Sequence, residues 1–335
     1  MLYTLRDPVI SARDLQKRAT GPEGRISKRL RMKQRAVLLL SCLALLMLHG
    51  RVNTAQAQQL EPRAYAPAPV GANILGVAAL YSTGDVALDP SVPIENLHAR
   101  VRIAAPFYLR TFDLFGRQAS AGLSLPIADV DATGDVLEQG RSIDRTGPGD
   151  PAFRFAVNLI GSPALNPKEF ATRRRETILG MSLSVVAPFG QYDPNKLINL
   201  GTNRWAFKPE LGLSQPLGNW DLELYAGVWL FTANDNFYGG KVRRQDPLTT
   251  TQAHVVYAFQ PNLWASLDFT YYMGGVSTVG GQEKNDRQDN SRTGVTLAVP
   301  LTAHQSLKMA WSRGVAVRTG QDFDAVGFTW QYWWF

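Results

Sequence analysis

The sequence predicts an all-β fold: a transmembrane, antiparallel, up-and-down β-barrel of about 12 strands. Three observations carry this. Beyond residue 57 the chain alternates apolar and polar residues with a period of two, the side-chain period of a strand, in twelve segments. Long connections alternate with short ones. The last segment, Asp324 to Phe335, sets Val326, Phe328, Trp330, Tyr332 and Trp334 on one face and Ala325, Gly327, Thr329 and Gln331 on the other. An exposed aromatic stripe of that kind suits a strand whose solvent on one side is lipid.

The twelve segments are 72–82, 97–110, 116–126, 151–160, 176–188, 202–214, 219–232, 250–260, 262–273, 291–301, 305–314 and 324–335. Their outward residues are expected to include Val101, Ile103, Phe107 and Leu109; Phe153, Phe155, Val157 and Leu159; Trp205, Phe207, Leu211 and Leu213; Leu222, Leu224, Val228 and Leu230; and Leu267, Phe269 and Tyr271. This reading leaves the outward face without charge. The opposite face holds Arg100, Arg102, Arg154, Arg204, Lys208, Glu210, Asp221, Glu223, Asp268, Arg292 and Lys308. A charge in mid-bilayer costs about 2–4 kcal/mol, so a spanning barrel demands such segregation. A soluble sandwich also alternates, but does not usually combine alternation with an export signal and an aromatic closing strand. Pro106 and Pro209 lack a ladder donor and predict bulges or misplaced boundaries.

The amino end reads as export machinery. Met32-Lys33-Gln34-Arg35 is a basic start, Ala36 to Leu48 an apolar core, and Ala55-Gln56-Ala57 a cleavage site. Residues 32–57 are therefore expected to be a signal peptide, and 1–31 an upstream extension of the reading frame. Residues 58–69 are expected to form a short Pro/Ala-rich periplasmic segment, too short for a domain or a substantial plug, and 70–335 the barrel. At the other end, Phe335, with Trp334 beside it, resembles the aromatic signal read by the outer-membrane barrel assembly machinery, although Phe335 shares parity with Gln331. The setting implied is the outer membrane of a Gram-negative bacterium, with its lipids and lipopolysaccharide as partners.

Charge and cysteine usage exclude several functions. Residues 1–57 hold 11 of the 35 Lys/Arg and 3 of the 28 Asp/Glu, leaving 24 against 25 and a net charge of −1 for the remainder. The high overall pI is thus no sign of nucleic-acid binding. The single cysteine, Cys42, lies within the signal, so residues 58–335 offer no disulfide or thiolate site. No cofactor is implied.

Short joins at 217–218, around Pro261 and at 302–304 fall at one end of the barrel. Long ones at 83–96, 127–150, 189–201, 233–249 and 274–290 fall at the other. These are the expected periplasmic turns and external loops. The exception is 161–175, a long join on the short side. The Asp/Gly-rich 127–150 reads as a solvated surface loop.

The stretch Gly190-Gln191-Tyr192-Asp193-Pro194-Asn195-Lys196-Leu197-Ile198-Asn199-Leu200-Gly201-Thr202-Asn203-Arg204-Trp205 is distinctive. With Leu230-Phe231-Thr232-Ala233-Asn234 and Tyr271-Tyr272-Met273-Gly274-Gly275, it resembles a family of outer-membrane transporters named for the meta-cleavage pathway of phenol degradation. The resemblance covers most of residues 70–335. It implies a barrel and suggests uptake of small organic, including aromatic, molecules.

The inward charges are candidate lumen-lining groups, as is Asn203, which with Arg204 ends an external loop and enters the wall. Inward Tyr225, Trp229, Trp264 and Tyr272 are candidates for an aromatic path, or for lumen filling. His254 shares the inward parity, and a barrel could bring it near Ser266 or Asp268, but no nucleophile elbow, HExxH or clustered carboxylate motif is present. The function implied is a passive channel or facilitator for a small organic solute. A closed structural or surface-interaction barrel, and third a barrel-borne hydrolase, stay open. Fractionated cells should yield a heat-modifiable outer-membrane protein whose first residue, by amino-terminal sequencing, is Gln58; cytoplasmic recovery with residues 1–57 attached would reject the export reading.

Overall fold

The computed structural model of the chain describes residues 60–87, 94–136, 139–196 and 198–335. The extension and signal peptide expected over 1–57 lie outside them. Eighteen strands are present among the described residues: β1 (Asn73–Ala87), β2 (Ile94–Leu114), β3 (Arg117–Ser124), β4 (Ile127–Val136), β5 (Gln139–Pro148), β6 (Ala152–Ile160), β7 (Ile178–Val186), β8 (Ala206–Leu217), β9 (Trp220–Phe231), β10 (Asn234–Phe237), β11 (Lys241–Gln245), β12 (Leu248–Gln260), β13 (Leu263–Gly274), β14 (Ser277–Val279), β15 (Gln282–Glu283), β16 (Gln288–Pro300), β17 (Gln305–Ala316) and β18 (Gly320–Trp334). Strands β3 and β4 continue one another along β2, as do β5 and β6 along their partners, so the wall has 12 staves. Closure comes from β18 on β1, antiparallel and in unbroken register from Asn73–Trp334 to Ala87–Gly320. No edge is left between first and last stave, as lipid requires.

Alternation places the faces. Leu211, Leu224, Leu267 and Phe269 are among the exposed apolar side chains of the outer surface, with Leu224 53% and Leu267 64% exposed. Their immediate neighbours Glu210, Glu223, Ser266 and Asp268 are buried inside. Val326, Phe328, Trp330, Tyr332 and Trp334 form the outward row of β18, pairing through β1 residues Tyr81, Ala79, Val77, Leu75 and Asn73.

Strand β2 departs from expectation. Its pairing with β1 sets Tyr108 beside Leu75 and Arg102 beside Tyr81, both partners on the outer surface. Arg100 and Arg102 therefore point out, and Val101, Ile103, Phe107 and Leu109 point in. The segment Ala104-Ala105-Pro106-Phe107-Tyr108-Leu109 is apolar on both faces, so only the arginines set its sequence-level parity, and a one-residue difference inverts a strand. Arg102 is held outside by Asp129 and Asp131 of β4. Arg313 and Asp324 form a further outward ion pair at the external ends of β17 and β18, so the outer face is not free of charge there.

The stretch 127–150 is a β-hairpin, not a loop. Its Asp residues read as solvated, but Ala128, Val130 and Ala132 form a buried row against Ile103, Val101 and Ala99 of β2. Neither proline produces a bulge. At Pro106, β2 changes partner from β3 to β4, and the ladder with β1 runs through. At Pro209 the β7 ladder is continuous, while the β9 ladder has no pair between Phe207–Leu230 and Glu210–Gly227, where the missing N–H goes unneeded. The long periplasmic join carries a short helix, α1 (Pro167–Ala171), started by an Asn166/Glu169 capping box and proline in its first turn. The external loops between β9 and β12 and between β13 and β16 form a small separate sheet, β10-β11-β14-β15.

Depth on the outer face sets the cost of a charge. Leu224→Arg should destabilise the barrel in lipid by about 2–4 kcal/mol, and Leu217→Arg, beside a periplasmic turn, by about 0–1 kcal/mol; urea titration of both variants in vesicles measures the difference.

Candidate permeation path

The largest departure from the sequence reading lies inside the barrel. Residues 60–69, expected in the periplasm, run up the lumen. Val70 N donates to Leu165 O of the periplasmic join at 2.9 Å, and Gly71 N to Thr111 O of β2 at 3.0 Å. From there, read toward the amino end, the chain rises into the middle of the barrel. Residues 62–65 form a turn, Ala64 N donating to Glu61 O and Ala66 N to Arg63 O, and the inward polar row satisfies other backbone groups of the segment. Arg63 N donates to Glu223 Oε2 at 2.7 Å, and Glu61 N to Gln252 Oε1 at 3.2 Å. Asn158 Nδ2 donates to Tyr65 O, and Arg154 Nη1 to Ala64 O.

Tyr65 is the anchor, 2% exposed. Its hydroxyl meets Ser182 Oγ at 2.9 Å and donates to Glu210 Oε1 at 3.0 Å. Its ring packs edge-on to Tyr225, with centroids 5.1 Å apart, and lies under the Arg154 guanidinium. The space for that ring is made by glycine. A Cβ on Gly180 of β7 or Gly212 of β8 would come within 2.2 or 2.1 Å of it. Arg63 pairs with Asp221 at 3.3 Å and lies over Trp264. Glu61 faces Lys208 Nζ at 3.7 Å, and Lys208 also pairs with Glu210 at 2.9 Å.

This segment divides the lumen into two chambers. The periplasmic one, about 500 Å³, is lined by residues 62–69 together with Leu109, Arg154, Phe170, Trp264, Lys308 and Trp333. The external one, about 330 Å³, is lined by Glu61, Arg204, Lys208, Trp229, Phe231 and Tyr272, among others. Glu61 of the docked segment belongs to the external lining and residues 62–69 to the periplasmic one.

Each candidate residue can now be placed. Arg154, Lys208, Glu210, Asp221 and Glu223 gather at the segment and hold it. Arg175 of the periplasmic join also reaches Asp221, at 2.5 Å. Asp268 is buried on β13, in register with His254 and through it with Glu223, and is bonded to His254 Nδ1 at 2.8 Å and to Thr296. Arg292 is buried and donates to Ser312 Oγ. Lys308 lines the periplasmic chamber. Arg204 lines the external chamber, its Nη2 donating to Gln245 Oε1 and its guanidinium 4.2 Å above the Phe231 ring. Arg100 and Arg102 do not line the lumen, for the register reason given above. Asn203 does not line either chamber; with φ at 52°, its amide turns to Asn234 and ties two external loops together. Of the aromatics, Trp229 and Tyr272 line the external chamber and Trp264 the periplasmic one, whereas Tyr225 is sealed behind Tyr65, bonded to Glu223. His254 Nε2 and Ser266 Oγ are both buried without a hydrogen-bond partner. They are thus not bonded to each other, and no Ser–His–Asp relay is assembled. Among the described residues no cluster of His, Cys, Asp or Glu could hold a metal ion.

A family described as "Putative MetA-pathway of phenol degradation" matches residues 82–331. Among solved structures, the COG4313 outer membrane channel from Pseudomonas putida F1 superposes with a TM-score of 0.72 at 24% identity, covering 82% of this chain and 100% of that one. The β domain of the Bordetella autotransporter BrkA reaches a TM-score of 0.45 at 12% identity, over 78% of this chain and 99% of that one. The CymD monoaromatic hydrocarbon channel reaches 0.41 at 8% identity, over 84% and 94%. No curated protein sequence matches the chain. The fold is that of an outer-membrane barrel, and the protein is located in the outer membrane of a Gram-negative bacterium with its apolar belt in lipid.

Because Gly212 makes the room that Tyr65 occupies, Gly212→Val should expel the ring and undock the segment while leaving the wall paired. Limited proteolysis of the folded barrel should then cut at Arg63, which the parent protein protects.

Proposed function

We propose that this chain, which belongs to the family described as "Putative MetA-pathway of phenol degradation", is a passive outer-membrane channel for small organic solutes, aromatic ones included. One observation carries the reading. Chambers of about 330 and 500 Å³ lie on either side of a single docked segment, and that segment is held by hydrogen bonds and ion pairs rather than by strand pairing. A barrel with only a structural role has no need of lined cavities. A channel needs a wall, two vestibules and a constriction that can yield.

The linings fit organic cargo. Both chambers mix aromatic faces with a few fixed polar groups, the composition of small-molecule sites. The constriction carries both signs of charge, Lys208, Arg63 and Arg154 against Glu61, Glu210, Asp221 and Glu223, so it does not exclude one ion sign outright. Movement is down a gradient, with no energy source in the chain. Lipopolysaccharide on the outward Arg102–Asp129–Asp131 group and the barrel assembly machinery on the β18 aromatic stripe complete the proposed partners.

Liposome swelling with small aromatic solutes tests the channel. Vesicles holding the purified barrel should swell faster than protein-free ones, and Gly212→Val should raise the rate further. Rates equal to bare lipid for both proteins would favour a closed structural barrel.

A further inference from the structure

The charged side chains of the periplasmic chamber are all positive. Arg63, Arg154 and Lys308 line it, and no Asp or Glu side chain does. Two of the three cations are committed to holding the docked segment. Arg63 pairs with Asp221 at 3.3 Å, and Arg154 donates to Ala64 O and Ser182 Oγ. Lys308 makes no hydrogen bond or ion pair among the described residues. Glu61 and Asp268 are the carboxylates whose field reaches it. Both are engaged elsewhere, Glu61 with Lys208 at 3.7 Å and Asp268 with His254 at 2.8 Å and Thr296 at 2.7 Å. A cation held inside a barrel without a counter-charge is unfavourable, and a bound anion relieves it.

Two further polar side chains stand beside Lys308 with nothing to bond. Ser306 precedes it by two residues on β17, so the two share the inward face with Cα atoms about 7 Å apart, a distance the lysine stem spans. Gln331 of β18 is the direct cross-strand partner of Ser306, with Cβ atoms about 5 Å apart. Neither side chain makes a hydrogen bond among the described residues. The Ser266 and Thr270 hydroxyls are unpartnered too, but they are sealed within the wall, whereas Lys308, Ser306 and Gln331 line the chamber and keep polar surface toward it. One carboxylate can therefore meet all three. A floor for an apolar body lies alongside. Trp264, Ala298 and Lys308 form one register row across β13, β16 and β17, and all three line the chamber. Neighbouring strands stand about 4.8 Å apart, which sets Trp264 about 10 Å from Lys308. Only the methyl group of Ala298 fills the wall between them.

We infer that the periplasmic chamber is a binding site for a small organic monocarboxylate, its carboxylate on Lys308 Nζ, Ser306 Oγ and the Gln331 amide and its apolar body over Ala298 against Trp264. The inference deepens the channel reading and rests on it for its role in uptake, but binding itself is independent of transport. A neutral solute would leave Lys308 without a counter-charge. A carboxylate without an apolar body would leave the hollow at Ala298 empty.

The test is calorimetric titration of the purified full barrel in neutral detergent with sodium benzoate, in buffer free of carboxylates. Saturable binding is expected. It should be weakened about 10- to 100-fold by Lys308→Met, the loss of one charge-assisted hydrogen bond, and about 2- to 10-fold by Ser306→Ala, the loss of a neutral one. Ala298→Leu, which fills the hollow and leaves the charge in place, should weaken it as well. Acetate, with no apolar body, should bind more weakly than benzoate, and benzyl alcohol should be indifferent to Lys308→Met. Ser306→Ala removes a single hydroxyl and serves should the methionine variant not fold. Absence of saturable benzoate binding, or binding unchanged in every variant that folds, overturns the site. If liposome swelling persists in that case, the channel stands without it. Benzoate binding that survives while swelling fails would keep the site and reject the channel.

Discussion

Inside a bilayer no backbone N–H or C=O can go without a partner, and the barrel meets that constraint by pairing β18 with β1 over fifteen consecutive positions. Everything else follows from the closed ladder. With the wall fixed at period two, half of each strand must face the lumen whatever its chemistry. Lys208, Glu210, Asp221, Glu223, Asp268 and Arg292 are carried inward by their neighbours' need for lipid. Once there they are short of water, and a buried charge without a partner is expensive. The wall solves part of this by itself, as in the Asp268–His254–Thr296 group. The rest is solved by bringing chain in: the backbone of Glu61 and Arg63 and the hydroxyl of Tyr65 reach the acids and amides that the wall leaves over.

Much of the fold was legible because lipid and lumen impose opposite demands on adjacent residues. Strands β6, β8, β9, β13 and β18 show this alternation plainly, and their faces follow from it. Strand β2 shows the limit. Where both faces are apolar, two arginines were enough to suggest an inside that does not exist, since their partners, Asp129 and Asp131, sit on a strand that looked like a loop. The β4–β5 hairpin was obscured by its Asp and Gly content, and its small buried row of Ala128, Val130 and Ala132 is a weak signal. Proline position was overread. A ladder loses nothing when the missing donor falls where pairing already changes hands.

The site was legible in its wall and illegible in its content. Inward charge could be read from parity, and Arg204, Trp229 and Tyr272 do meet in one chamber. The docked segment was missed because Pro/Ala-rich chain has no periodicity and reads as linker. Two signals pointed to it. Glu61, Arg63 and Tyr65 alternate within that stretch, and the inward rows of β7 and β8 are interrupted by Gly180 and Gly212, which leave an unfilled hollow at matching register. A gap in an inward row calls for something else to fill it.

The anchoring of that segment also governs how it would move. Only Val70 to Ala72 separate it from the first residue of β1, and Val70 and Gly71 are pinned to the periplasmic rim. Once undocked, Tyr65 would swing on a leash of a few residues, and its return would be an intramolecular event. For short flexible tethers the effective concentration is of millimolar order. Opening and reclosing are then set by chain elasticity and local bond strength, independent of how many copies of the protein the membrane holds.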